Sequence, residues 1–328
     1  MSGASRARSP WPVSPVPETA AMPAGELTAE DAWAIIRRHG AWTVARASFV
    51  RFRYADGFSH SRALALQLCL AVVPFLIAFV GLSGSLYAER PGMVLRRTLL
   101  SVVPGGSTGA LQAAIQPAGR GDRTALWLGL GTAVVALVVA MGQVERGANR
   151  IYGIRRDRPS RQKYTRAVVL AGASGVPYLV GFLVLVAGAD FADAVEDVYG
   201  FDDDVVGWLA VPIAVVLMLA AVTVMIRRGP RRRQPGWSLV AVGAAVSFVL
   251  WLAFTGLLAG YLQASGSFGA VYGPLAGIMA LLIWAQLTSM AILLGFAVTA
   301  QLEAARAGLL HPVEPDPGPG DARSLDVL

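Results

Sequence analysis

The chain has 328 residues, 55% of them hydrophobic and only 15% charged, with a formal net charge of +7. A soluble protein of this length carries more charge, so the composition excludes an ordinary soluble domain and points to an all-α polytopic membrane protein. The positive excess is nearly all arginine and gathers beside apolar runs, so membrane topology accounts for it and no nucleic-acid partner is expected.

Residues 1–25 are Pro-rich and aperiodic and read as a disordered tail, with no apolar signal-peptide core after Arg6 and Arg8. Thr28-Ala29-Glu30-Asp31 is a capping-box pattern, which predicts a short helix from Ala29 to about His39 ended by Gly40. From Ala41 to about Ala55, Trp42, Ala45, Phe49 and Phe52 share one helical face, and Arg46, Arg51 and Arg53 supply charge. Such an amphipathic helix either lies on an anionic leaflet or packs on the protein's own loops. Residues 26–62 are therefore assigned to cytosolic or interfacial helices.

Six apolar spans follow, at about 63–87, 125–143, 167–189, 205–226, 237–262 and 275–300, within a membrane domain of residues 63–302. The fourth is the clearest: 22 uncharged residues, roughly 33 Å as a helix, between Asp202-Asp203-Asp204 and Arg227, Arg228, Arg231, Arg232 and Arg233. Water is absent from a bilayer core, so each span must satisfy its own backbone, which a helix does. Pro74, Pro177 and Pro212 each remove one backbone bond and bend their spans. Arginine placement sets direction. The N-terminal part and the loops after spans two and four are basic, and the loop after span three is acidic. This pattern places both termini in the cytoplasm. Residues 89–124 dissent, because they carry five arginines yet must be external; interfacial or re-entrant elements are expected there. Residues 303–328 read as a mostly disordered cytoplasmic tail.

Three stretches carry a resemblance. Asp56-Gly57 leads into R-A-L-A-L-Q-L-C-L-A-V-V-P-F-L, span two ends in G-A-N-R-I-Y-G-I-R-R-D-R-P (147–159), and the last span reads Y-G-P-L-A-G-I-M-A-L-L-I-W-A-Q-L-T-S-M-A-I-L-L-G (272–295). In this order, with six spans, they resemble the YihY / virulence factor BrkB family of bacterial inner-membrane proteins over roughly residues 40–305. The resemblance implies an envelope-related role; the ribonuclease label on some members is regarded as a misassignment. The chain departs from the family pattern at Gln67 and Leu68, at Gln286, and after Gly295, where Phe296-Ala297-Val298 stands in place of a Glu-containing sequence. Glu303, more than a turn later, is not an obvious substitute.

No Asp, Glu, Lys, Arg or His falls inside these span boundaries, which argues against a proton- or ion-coupled mechanism. Gln67, Pro74, Gln286 and Thr288 are the substrate-path candidates, because a carboxamide in lipid needs a partner or a wet cavity. Gly256 and Gly260, and Gly269, Gly273 and Gly277, have the spacing of close helix packing and would serve oligomerisation in a homo-oligomer. Pro274 interrupts the second set, which suggests a broken turn. Asn149, Arg150, Arg155 and Arg156 are candidates for lipid headgroups, the alternative being a solvated flank. Cys69, the single cysteine, excludes an intrachain disulfide and reads as a small buried apolar residue. His39, His60 and His311 form no metal-ligand pattern, so no metal site, cofactor or enzyme activity is expected. The leading expectation is transport or translocation of a lipid or other amphipathic envelope solute, with anionic lipids as partners. The alternatives are a non-transporting envelope scaffold and a ribonuclease, the latter disfavoured by the chemistry. A polar cavity around Gln67 and Gln286 would favour transport, and a solid apolar core would favour the scaffold.

Overall fold

The computed structural model describes residues 13–18, 27–85, 123–154, 156–187, 193, 195–197, 203–264 and 275–312. Among these, the regular elements are all helical: α1 (Ala29–His39), α2 (Ala41–Tyr54), α3 (Gly57–Ser85), α4 (Arg123–Ile151), α5 (Ser160–Leu170), α6 (Val176–Ala187), α7 (Asp203–Arg228), α8 (Trp237–Ala264) and α9 (Ala276–Arg306). Five segments are long and apolar enough to cross a membrane: Trp127–Ile151, Ser160–Phe182, Trp208–Arg228, Trp237–Ala264 and Ile278–Arg306. They turn Leu128, Val135, Val169, Val216 and Leu257 outward. An apolar belt of that extent belongs against lipid rather than water. Of the first expected span, residues 63–85 fall in α3, some of whose side chains lie outside the described residues. The expected elements at 89–122 and around Pro274, with Gly269 and Gly273, also lie outside them.

The helices close into a ring. α4 packs on α3, α3 on α9, α9 on α8, α8 on α7, and α7 on α6, and α5 and the turn before α6 return to α4. The third span is not one uniform helix. Residues 171–175 form a π turn between α5 and α6. Pro177 has no N–H to continue the ladder and the turn is Ala-Gly-Ala-Ser-Gly, so the backbone widens where it meets least side-chain resistance.

Two short helices precede α3. Thr28 N donates to Asp31 Oδ2 at 2.9 Å, the reverse half of the expected capping box, and Gly40 (φ +84°) ends α1. α2 lays Val44, Ala47, Ser48, Arg51 and Phe52 against the bundle, chiefly α9, and leaves Trp42, Ala45 and Phe49 outside. The expected aromatic face is therefore split, with Phe52 in the core. The α2–α3 turn places Asp56 at φ +57°, and a Cβ at Gly57 would fall 2.4 Å from the Phe52 ring.

The closest helix approach is not at the glycine pairs singled out by spacing. A Cβ on Gly256 or Gly260 would meet nothing within 4 Å, so these two face away from the bundle. A Cβ on Gly243 would sit 2.8 Å from Gly295 O, and one on Gly295 would sit 2.6 Å from Gly243 O. The α8–α9 contact therefore rests on Gly243 and Gly295, with Ser247 and Thr299 beside them. One helix's G-x-x-x-G pattern cannot reveal a contact whose glycines lie on two helices. Gly295→Ala is expected to destabilise by about 1–3 kcal/mol through overpacking, whereas Gly256→Ala should leave the unfolding midpoint in detergent within error. Equal midpoints for the two variants would refute this assignment of the contact.

Candidate functional site

Two polar features interrupt the apolar bundle. The larger is a buried charged layer at the arginine-rich end, where the end of α4, the loop to α5, the 229–236 loop, the end of α9 and residues 13–18 converge.

Glu145 and Glu303 lie beyond the expected span boundaries, yet α4 and α9 continue through them and both carboxylates are buried. The expectation that charges stay outside the spans is corrected at this end: the helices outlast the apolar runs because buried partners meet the charges. Glu145 pairs with Arg158 at 3.1 Å, and Arg158 also donates to Gly229 O and Pro230 O. Glu303 pairs with Arg232 at 2.5 Å. The Arg232 guanidinium also lies over the Tyr152 ring, 4.8 Å from its centroid. Glu303, which follows no family pattern in sequence, thus continues the face of Ile292, Phe296 and Thr299 into the layer.

Asn149 is wholly buried. Its amide donates to Asp157 Oδ1 (2.9 Å), and its carbonyl oxygen accepts from Arg231 N (2.8 Å). It therefore ties two loops together, which corrects its reading as a headgroup ligand or solvated flank. Arg150 and Arg156 are exposed, and Arg155 lies outside the described residues. Burial alone would raise the Asp157 carboxyl, but Asn149, Lys163 and Arg146 together hold it below its usual range. A depressed carboxylate stabilises the fold above its unfolded pKa, and the contribution is lost as pH falls through the lowered value.

Residues 13–18, expected as disordered tail, instead cross this layer. Val13, Ser14 and Val16 are buried, Val16 N donates to Tyr152 O (3.1 Å), and Pro15 rests on Gly153, where a Cβ would come within 2.6 Å of Pro15 Cα. Gly153 also has φ +74°, so glycine is needed there twice over. Arg51 is fully buried beneath the segment. It donates to Gln301 Oε1 (2.8 Å), Ser14 O (3.0 Å), Ile151 O (3.2 Å) and Ser14 Oγ (3.2 Å). Burial pushes its pKa down to about 10, which leaves it charged at neutral pH.

The second feature lies deeper, among α6, α8 and α9. Phe182 stacks on Trp284 (4.1 Å between centroids) and meets Trp251 edge-on. Trp251 Nε1, Trp284 Nε1, Thr288 Oγ1 and Ser289 Oγ are buried and make no hydrogen bond among the described residues. Of the path candidates, Thr288 belongs here, whereas Gln67, Pro74 and Gln286 are half-buried. Cys69 Sγ lies 3.8 Å from Leu281 O, and Leu293 and His60 meet at Gly147, so α3 and α9 run antiparallel. That register puts Gln67 and Gln286 within about a turn of the same depth. A small cavity at the bundle centre is wholly apolar, lined by Leu68, Met141, Tyr178 and Ile292 among others, and neither glutamine borders it. Among the described residues, no group of three or more His, Cys, Asp or Glu is placed to hold a metal.

Apolar helices of spanning length, a lipid-facing belt and a charged layer at one end define an integral membrane protein. The chain belongs to the Virulence factor BrkB family, whose profile matches residues 48–317. It is similar to the ribonuclease-like protein YfkH of Bacillus subtilis (strain 168), 23% identical over 273 residues that cover 77% of this chain and 93% of the relative. It is also similar to a UPF0761 membrane protein of Vibrio vulnificus (strain YJ016), 26% identical with 78% and 82% covered, and to one of Azotobacter vinelandii, 24% identical with 81% and 64% covered. No solved structure matches the chain.

Sequence reasoning missed the roles of Arg51, Glu145, Arg232, Gln301, Trp251 and Trp284. Only Arg51 had a readable signal, since it shares a helical face with Val44, Ala47 and Ser48. Removing one partner of the Glu145–Arg158 pair should be severe. Glu145→Gln is expected to destabilise by about 3 kcal/mol, with the Glu145→Gln/Arg158→Gln double variant less destabilised than the sum of the two singles. Unfolding midpoints in detergent for the full cycle test this, and strict additivity would show that the pair is not coupled.

Proposed function

We propose that this protein is a six-span inner-membrane protein, with both termini cytoplasmic, that translocates a lipid or other amphipathic solute. One observation carries the reading: two indole N–H groups and two hydroxyls are buried in mid-bundle without partners among the described residues. Native interiors rarely leave such groups unsatisfied, and each costs about 1–3 kcal/mol. A polar group entering between α6, α8 and α9 would meet the two indoles and the Thr288 hydroxyl, which shares a face with Trp284, while its apolar remainder stays in the bundle or the surrounding lipid. Gln67 and Gln286, close in depth on α3 and α9, extend the path, and Pro74 bends the helix that carries Gln67. Trp42 and Phe49 on α2, beside Arg46 and Arg53, suit a helix lying on an anionic cytoplasmic leaflet.

The scaffold reading has one specific observation in its favour, the apolar central cavity, with Gly256 and Gly260 facing outward for a second copy. The activity in the Bacillus relative's name is not extended to this chain. Its three histidines sit apart, on α1, at the start of α3 and beyond α9, so they offer no paired acid and base.

Translocation is tested by dithionite quenching of a fluorescent phospholipid in proteoliposomes. The protein should scramble lipid above empty vesicles, and Trp251→Phe, Trp284→Phe and Thr288→Val combined should slow it about tenfold or more, equivalent to losing ~1.4 kcal/mol or more of transition-state stabilisation. These substitutions remove the donors while Phe keeps an aromatic ring and Val keeps the shape of Thr. Undiminished scrambling by the folded triple variant would move the path elsewhere, and no scrambling by the wild type would favour the scaffold.

A further inference from the structure

Arg51 and Arg232 converge on the same short segment. Arg51 holds Ser14 O and Ser14 Oγ, and Arg232 holds Val16 O and Pro17 O, each at 3.0–3.2 Å. The two gripped carbonyls of Ser14 and Val16 are two residues apart, so they lie within about 7 Å of each other. Both guanidiniums are buried, at 0% exposure for Arg51 and 4% for the Arg232 side chain.

Arg232 pairs with Glu303, and the carboxylate at the end of the segment, Glu18, accepts from Arg233 N at 3.2 Å. Among the described residues, the hydrogen-bond partners of Arg51 are all neutral: Gln301, Ser14 and the carbonyl of Ile151. A buried charge is ordinarily matched by an opposite one, because desolvation is too costly for neutral dipoles to offset fully. Beside the pair, Tyr152 Oη and the Gln234 side-chain amide are buried and face each other. Fork-shaped cations with neutral polar groups nearby match the oxygens of a phosphate, which accept several such bonds at once.

We propose that Arg51 and Arg232 form a phosphate-binding site, which residues 13–18 cover as an internal plug in this structure. The backbone carbonyls of the segment occupy the places of phosphate oxygens. The anion and the segment therefore compete, and binding expels the segment. The ligand is a phosphate group, carried either by a lipid or by a soluble molecule. This inference stands apart from translocation, since binding involves no transport step and either can fail alone.

The test uses Ser14→Cys in a Cys69→Ser background, labelled with a maleimide in detergent. Ser14 is buried, so labelling should be slow without ligand. Inorganic phosphate or dihexanoyl phosphatidic acid should accelerate it about tenfold as the segment leaves. Acceleration by both assigns the site to the phosphate group itself, and acceleration by phosphatidic acid alone assigns it to a lipid headgroup; either result upholds the site. Arg51→Gln should abolish the response. Arg51→Lys, which retains a cationic side chain but loses the fork, should raise the half-maximal phosphate concentration about tenfold. The full chain with residues 13–18 deleted should bind inorganic phosphate about tenfold tighter by calorimetry, because nothing competes. The proposal is overturned if neither anion changes labelling and the deletion does not tighten phosphate binding. Fast labelling of Ser14→Cys without ligand overturns it equally, since the segment would then not be a plug.

Discussion

Arg51 enters the interior without a carboxylate among its hydrogen-bond partners, and neutral dipoles from three distant parts of the chain must offset its desolvation. Ser14, Ile151 and Gln301 supply them, at separations in sequence of up to 250 residues. A guanidinium cannot shed its charge as a lysine can, so the surroundings have to come to it. This requirement accounts for several otherwise unrelated features. Residues 13–18 are drawn across the bundle, Gly153 is bare to admit Pro15, and α9 continues past its apolar run to present Gln301 and Glu303. Asn149, Asp157 and Arg158 then hold the adjoining loops in register.

The membrane-facing part follows a different rule. Lipid gives no hydrophobic reason for helices to associate, so contact depends on close packing. Gly243 and Gly295 allow the α8 and α9 backbones to touch, and Gly181 does the same for α6 against Ala214 and Met218 on α7. The π turn at 171–175 absorbs the N–H missing at Pro177 while keeping the third span continuous. Against this tight background, the donors of Trp251, Trp284 and Thr288, unpartnered among the described residues, stand out as a departure from packing economy.

The apolar runs, the helix ends at Gly40 and Trp237 and the family resemblance were readable because each depends on local composition or order. Length and hydropathy placed the fourth and fifth spans within two residues of the helices at both ends, whereas α4 and α9 run eight and six residues past their apolar runs and the third span's helix begins seven residues earlier than expected. The charged layer was not readable, because a charge at the end of an apolar run looks like a solvated flank unless its distant partner is known. Glu303 and Arg232 are 71 residues apart, and Asn149 and Arg231 are 82 apart. The proline-rich segment failed for the same reason: nothing in its own composition reveals Arg51 beneath it. Gly256 and Gly260 show the converse, a motif legible on one helix that has no opposing helix within the bundle.

α9 links the two polar features. It carries Trp284, Thr288 and Ser289 in mid-bundle and Gln301 and Glu303 in the charged layer, on one helix of 31 residues without an internal proline. Such a helix moves as a unit, since kinks arise at proline, glycine pairs or π turns. A displacement that opens the aromatic cluster must therefore strain Gln301 against Arg51 and Glu303 against Arg232. Conversely, releasing residues 13–18 frees the Arg51 and Arg232 donors that face them and loosens the anchoring of that end of α9. The bundle thus has a mechanical route from its charged end to its unpartnered interior donors, set by the continuity of a single helix.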